Sequence, residues 1–329
     1  MTGSSDDVHL LCCANTAYAA PLAVMLKSVE LSLSPRRQAW IYIFYRGMEE
    51  KAKRRVAQTL DPRQMKIRWF PVEEQILHRF EGNGHAGKET YLRLWAPDFL
   101  PTNLHRVIYL DVDLVVLRDI GELWDSSTDA IALHAVREVG NPFVSSQRGV
   151  FNYRDLGLPS DAPYFNAGVL VMNLALWRSQ NIKESVVSYL LQHGPRVHSW
   201  DQGALNACLC GQWRALDFRW NQTASVSDPD AWRKLGYSQK EYRAIRDNPF
   251  IVHFTGEAKP WHDNYRENRK YVYGEFLKKT AFGNRLPALP FGKENSGAIS
   301  THGAGRPDSF EPPRSWRFFP GFYRNFSSP

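Results

Sequence analysis

The stretch Arg106-Val107-Ile108-Tyr109-Leu110-Asp111-Val112-Asp113-Leu114-Val115-Val116 constrains this chain most. A short, continuous run of branched and aromatic residues at 107–110 reads as a buried strand of a parallel sheet. Two carboxylates at its end cost free energy unless they are paired, hydrogen-bonded or bound to a cation. In open α/β sheets the carboxyl ends of the strands are where ligands bind. If the strand stays extended, alternation points Asp111 and Asp113 the same way. Two oxygen ligands side by side suit a hard divalent cation, Mn²⁺ or Mg²⁺, with positions left for phosphate oxygens. Asp-x-Asp alone equally describes a strand-end turn with solvated carboxylates, so the decision falls to the rest of the chain.

The flanking sequence has the rhythm of an α/β protein. Residues 8–13, 40–45 and 66–70 read as strands, and 20–33 and 48–60 as helices, with Leu22, Met25, Leu26, Val29 and Leu33 on one stripe of the first. Strand-helix-strand repetition implies a mainly parallel sheet with right-handed crossovers. Further on, 81–88 is a glycine-containing loop, 90–99 a helix, 130–135 a strand and 139–163 an irregular candidate acceptor loop. Residues 165–173 read as an apolar strand and 174–193 as largely helical. A helix starts at 200, 221–230 is polar and loop-like, and 250–254 is the last strand.

Hydrophobic residues are 43% of the 329, enough for a sizeable core, and the formal charge of +7 suits an anionic ligand or membrane surface without singling out nucleic acid, which we do not expect as a partner. The 13% aromatic content, with 11 Trp, suits a site that holds sugars or bases against rings. Cys12, Cys13, Cys208 and Cys210 have neither zinc-site spacing nor the look of a disulfide framework, so buried thiols in a reducing compartment are expected. The first seven residues do not read as a signal peptide and no apolar run reaches spanning length, so a cytoplasmic protein is expected, possibly held on the inner face of a membrane. From residue 283 the chain is rich in Pro, Gly and Ser, and 313–326 interleaves Arg314, Arg317 and Arg324 with six aromatic residues. That pattern suits either docking on an anionic bilayer or folding back onto the rest of the protein.

Four motifs occur in order: Tyr109-Leu110-Asp111-Val112-Asp113, Tyr164-Phe165-Asn166-Ala167-Gly168-Val169, Trp200-Asp201-Gln202, and His253-Phe254-Thr255-Gly256-Glu257-Ala258-Lys259-Pro260-Trp261. Over residues 8–273 this pattern closely resembles the family 8 retaining glycosyltransferases, which include lipopolysaccharide galactosyl- and glucosyltransferases and glycogenin. The resemblance implies a GT-A-like fold over 8–282 with a C-terminal extension at 283–329. It implies transfer of a hexose, galactose or glucose, from a UDP-sugar to a saccharide or glycolipid acceptor of a surface glycan.

By the same resemblance Asp111, Asp113 and His253 hold Mn²⁺, with Val112 between the carboxylates in the donor site, and Lys259 and Gly256 meet the diphosphate. Tyr18 stacks on uracil, Arg93 lies near the donor, and Asn166 and Asp201 hold sugar hydroxyls. Gln202 faces the reactive side of the sugar, where its carbonyl steadies developing positive charge or simply binds a hydroxyl; amides are poor nucleophiles, which favours front-face displacement over a covalent intermediate. Taken singly, these residues have plainer readings: a core histidine, a surface lysine, an ion-paired arginine, a helix N-cap at Asp201. Two positions depart from the family's pattern. Asn15 stands where an acidic residue often contacts uracil, and Gly203 where many members carry a carboxylate. They keep a non-catalytic sugar-nucleotide or glycan-binding protein in view, beside a metal-dependent nucleotidyltransferase or phosphohydrolase.

Overall fold

The computed structural model describes residues 7–77, 80, 88–126, 130–267 and 269–283. The loop at 81–87 and the basic-aromatic tail lie outside the described residues. β1 (Val8–Ala14), β2 (Ala39–Tyr45) and β3 (Met65–Pro71) pair in parallel, and the helices Ala19–Ser32 and Glu50–Gln58 make the crossovers. β4 (Arg106–Leu110) joins β1 on its other side, again in parallel. β6 (Leu133–Arg137), β7 (Phe165–Asn173) and β8 (Trp213–Ala215) complete one sheet in the order β3-β2-β1-β4-β7-β6-β8. β7 runs antiparallel to both β4 and β6, so the sheet is mainly and not wholly parallel. The chain reverses its progress across the sheet between β1 and β4, a topological switch point at which such sheets open a crevice.

All residues of β7 are buried, because the sheet is covered on both faces. One face carries Leu22, Met25, Leu26 and Val29 of the helix Ala19–Ser32, the stripe expected from its spacing. The other carries Trp177, Phe165 and Leu190. The four cysteines are free, and Cys12 and Cys13 are buried among these apolar side chains.

Several elements differ from the sequence reading. The strand before Asp111 does not continue: the chain bends at 111–113 and re-enters as β5 (Leu114–Val116), which pairs with β9 (Ile251–His253) in a separate two-stranded sheet. The segment expected as a helix at 90–99 is a 3₁₀ helix, Lys88–Trp95, followed by one α-turn, Ala96–Phe99. The helical stretch after β7 is broken at Asn181, which adopts φ 51°. The strand expected at 130–135 lies at Leu133–Arg137. The helices Gln239–Arg246 and Lys270–Leu277 were not expected; the first opens with a capping box of Ser238 and Glu241.

Candidate active site

A cleft of about 640 Å³ opens at the switch point, and each residue singled out above for the donor site lines it: Asn15, Tyr18, Arg93, Asp111, Val112, Asp113, Asn166, Asp201, Gln202, His253, Gly256 and Lys259. The bend after β4 brings the two carboxylates together. The amide of Asp111 donates to the carbonyl of Gly168 at 2.8 Å, and the carbonyl of Asp113 accepts from Phe254 at 2.9 Å. The β5–β9 pairing sets Leu114 opposite His253 and so carries the imidazole to the aspartates. His253 Nε2 lies 3.1 Å from Asp113 Oδ1 and 3.6 Å from Asp111 Oδ2.

Ligand atoms of Asp111, Asp113 and His253 all fall within 4.8 Å of one another. The donor set fits a divalent cation: two carboxylates offset its charge, and carboxylate oxygens with one imidazole are common ligands of such ions. Gly168 shows how tight the approach is. A Cβ there would sit 2.1 Å from His253 Cε1 and 2.9 Å from Asp111 Oδ2.

A buried relay fixes which nitrogen of His253 faces the aspartates. The amide of Gly168 donates to Asn166 Oδ1 at 2.9 Å, so that atom is an acceptor, and Asn166 Nδ2 donates to Glu138 at 2.8 Å. The atom of Asn221 that meets Asn166 Oδ1 at 2.8 Å is therefore its Nδ2. Asn221 Oδ1 is left to accept from His253 Nδ1 at 2.8 Å. Nδ1 carries a proton, and Nε2 is the nitrogen presented to a cation, the arrangement in which an outer partner orients a ligating histidine. Asn221 is almost wholly buried. Sequence reasoning passed over it as part of a polar loop; the motif around Asn166 carried no sign of its partner.

Lys259 Nζ pairs with Asp113 and donates to the Phe254 carbonyl at 2.9 Å. Burial works to raise the Asp113 pKa, but His253 and Lys259 override it and hold the carboxyl well below the usual range. Arg93 is buried under the cleft. It lies 2.8 Å from Asp201 Oδ2 and 3.4 Å from Asp111 Oδ1, donates to the carbonyls of Thr90 and Ala167, and sits over the Tyr109 ring at 4.2 Å. Its contacts thus tie together the two carboxylates that flank the cleft floor.

Asp201 is the first residue of the helix Asp201–Cys208 and does not cap it; Trp200 holds that position. Asp201 Oδ1 accepts from Thr90 Oγ1 at 3.0 Å, and burial, opposed by Arg93, pushes its pKa up to about 6. Gln202 Oε1 accepts from the Ala167 amide at 3.0 Å, so one lone pair of the carbonyl expected to face the sugar is already engaged. Asn15 Oδ1 accepts from the amide of Tyr18 at 3.3 Å, capping the 3₁₀ turn Thr16–Tyr18. Tyr18 lies edge-on to Trp261 at 6.0 Å and keeps part of its ring on the cleft. Gly256 has φ +92°, a conformation that side chains other than glycine's rarely adopt.

Immediately before Asp201, Ser199 and Trp200 have φ of 60° and 53°. Left-handed backbone at non-glycine residues costs on the order of 1–3 kcal/mol each and is held only when its surroundings over-determine it. Here the turn folds back on its helix so closely that a Cβ at Gly203 would lie 2.2 Å from the His198 carbonyl oxygen. At Gly203 the turn therefore leaves no room for a side chain.

A mainly parallel sheet with a metal-competent Asp-Asp-His cluster and an Asp-Gln pair at its switch point defines a GT-A-like glycosyltransferase site. The family model for glycosyl transferase family 8 matches residues 9–265. General stress protein A of Bacillus subtilis is 30% identical over 291 residues, covering 86% of this chain and 97% of that protein. Lipopolysaccharide 1,2-glucosyltransferase of Escherichia coli is 25% identical over 208 residues, covering 63% and 59%. The crystal structure of the galactosyltransferase LgtC with donor and acceptor sugar analogues superposes with a TM-score of 0.70 at 27% identity, covering 86% of this chain and 99% of that one. The chain belongs to glycosyl transferase family 8. Among the described residues no helix is long and apolar enough to cross a membrane.

Proposed function

We propose that the protein is a retaining hexosyltransferase that moves galactose or glucose from a UDP-sugar to a saccharide of a lipopolysaccharide or other surface glycan. The catalytic unit is 8–282, with 283–329 as an extension. The observation that carries this reading is the convergence of Asp111, Asp113 and His253 beside Asn166, Asp201 and Gln202 in one cleft. The names of the E. coli relative and of LgtC support the sugar and acceptor classes.

Asp111, Asp113 and His253 would hold Mn²⁺, or Mg²⁺ in its place, which when bound would supply Lewis-acid stabilisation of the departing diphosphate. Lys259 transfers its contact from Asp113 to the diphosphate and neutralises further charge. Tyr18 and Asn15 receive uracil, and Val112 and Gly256 present backbone to the donor. Asn166 and Asp201 orient the sugar through its hydroxyls, and Arg93 acts on the donor through Asp111 and Asp201. The C1–O bond to the diphosphate breaks with its electron pair leaving on UDP, the acceptor hydroxyl oxygen attacks C1 from the same face, and its proton passes to the departing diphosphate oxygen. Gln202, with one lone pair anchored at the Ala167 amide, sets its remaining lone pair and amide against the reactive side of the sugar.

The reaction takes place in the cytoplasm, with the tail 313–326 holding the enzyme near an anionic bilayer where a glycolipid acceptor is concentrated. The deciding experiment supplies Mn²⁺ and a panel of nucleotide sugars and follows UDP release and the anomeric configuration of the product. UDP with retained configuration is expected. Release of a nucleoside monophosphate or inorganic phosphate first would point to phosphohydrolase or nucleotidyl chemistry. Binding without turnover across a broad acceptor panel would leave a sugar-nucleotide-binding protein.

A further inference from the structure

A second cavity, of about 310 Å³, lies beyond the donor cleft, on the other side of the strained turn. The two share Arg148, Ser199 and Trp200 as lining, so the turn that leads into Asp201 and Gln202 is also the wall between them. The volume is at the low end of the roughly 300–1,000 Å³ typical of small-molecule sites. Its walls combine rings and aliphatic groups with the polar groups of Arg148, His198 and Ser199. Tyr91 and Phe80 stack on each other at 4.9 Å and 19°, and Leu190 and Leu191 come from the end of the helix Ile182–His193. Leu191 is 37% exposed, one of few large apolar side chains so open among the described residues. No acidic residue lines this cavity among the described residues, whereas the exposed Arg148 stands at its junction with the donor cleft. Ring faces interleaved with polar groups, and a cation at one edge, match a sugar ring that bears a negative substituent.

We propose that this cavity is a subsite for an anionic unit of the acceptor saccharide, a phosphorylated sugar or a uronate, next to the unit that receives the transferred hexose. The ring lies against Trp200 and the Tyr91–Phe80 pair, and the anion meets Arg148. The Ser199-Trp200 turn explains why such a subsite bears on transfer. Its backbone is fixed in an uncommon conformation that puts Trp200 in the wall of both cavities and delivers Gln202 to the donor cleft, so acceptor binding and sugar alignment share one rigid element. The subsite rests on the transferase reading for its role as acceptor site, but its occupancy is testable without turnover.

The test uses the full chain and three probes built on one disaccharide: neutral, phosphorylated and uronate-bearing. Affinity is measured by ligand-observed NMR and calorimetry, and UDP release from UDP-glucose and UDP-galactose is followed separately without acceptor. The wild type is expected to bind at least one anionic probe about tenfold more tightly than the neutral one, as one charge-assisted hydrogen bond provides at its low end. Arg148→Ala removes that preference. Leu191→Trp, which fills the cavity away from the donor cleft, weakens both anionic and neutral probes, and Leu191→Glu weakens the anionic ones selectively; both leave acceptor-free UDP release unchanged. The probe that binds more tightly, phosphate or uronate, identifies the substituent. Equal affinity for neutral and anionic probes in the wild type, or unchanged binding in both Leu191 variants with native melting curves, overturns the proposal. Absence of UDP release from every nucleotide sugar even with a broad acceptor panel would sink the transferase reading, while loss of anionic-probe binding in the Leu191 variants would still establish the subsite.

Discussion

At the scale of single residues, Asn221 and Asp113 make opposite demands on the same cluster. Asp113 supplies charge. Asp113→Asn is expected to abolish most Mn²⁺-dependent turnover with the fold intact, because the amide cannot offset a dication; wild-type turnover by this variant would remove Asp113 from the metal set. Asn221 supplies orientation. Asn221→Leu leaves every proposed ligand in place yet frees the imidazole, and Mn²⁺ affinity is expected to fall about 10- to 100-fold, the usual cost of losing such a partner. Mn²⁺ titration by electron paramagnetic resonance measures this without turnover. The two residues also differ in legibility. Asp113 announces itself because an apolar strand runs into it, whereas Asn221 acquires its role from contacts 32 and 55 positions away in the chain. Asp201 adds a pH dependence. Its folded pKa of about 6 lies above the ordinary carboxylate value, so the folded state binds the proton more tightly. That contribution is full below the unfolded pKa of about 4 and is lost as pH rises through about 6. The stability of the wild type relative to Asp201→Asn should therefore decline across that window in thermal melts, and a flat difference would deny the burial of an ionisable group there.

At the scale of elements, the turn 198–203 decides what residue 203 can be. Replacing Gly203 with Asp adds a carboxylate next to Gln202 but drives a Cβ into the His198 carbonyl. The expected result is loss of roughly 1–3 kcal/mol in denaturant unfolding, with lower transferase activity as the turn shifts. A gain of activity at unchanged stability would mean that the turn yields easily. Elements such as β7 were readable because a continuous apolar run is itself the signal for a strand buried on both faces. The segment 88–99 was not, because tertiary contacts override its helical pattern. Glu89 pairs with Arg46, and Arg93 reaches Asp111 and Asp201, which winds the segment as 3₁₀ over Lys88–Trp95. Likewise nothing local distinguishes Leu114–Val116 from a continuation of β4; only its partner β9 shows that it leaves the main sheet.

At the scale of the whole molecule, the parallel rhythm up to β4 fixes the class of the fold, and with it the switch point where the cleft must open. The antiparallel insertion of β7 is a matter of connection and not of strand chemistry, so the pattern of residues does not disclose it. The described chain ends against the helix Glu50–Gln58. Arg55 donates to the Ala281 carbonyl at 2.9 Å and lies over the Phe282 ring at 4.0 Å, and the Ala281 amide donates to Thr59 at 3.1 Å. A truncation that removes residues 284–329 keeps all three contacts and should leave melting temperature and activity on a water-soluble acceptor unchanged. The removed segment holds six Lys and Arg against three Asp and Glu, with its aromatics gathered around Arg314, Arg317 and Arg324. If that cluster docks on an anionic leaflet, each basic residue contributes about 1 kcal/mol, which salt screens. Full-length protein is therefore expected to sediment with phosphatidylserine vesicles at low salt, to release at high salt, and to lose this binding on truncation. Equal vesicle binding by both forms would place the contact elsewhere on the protein. A truncated form that melts earlier would show that the aromatic cluster packs against the catalytic unit and stabilises it.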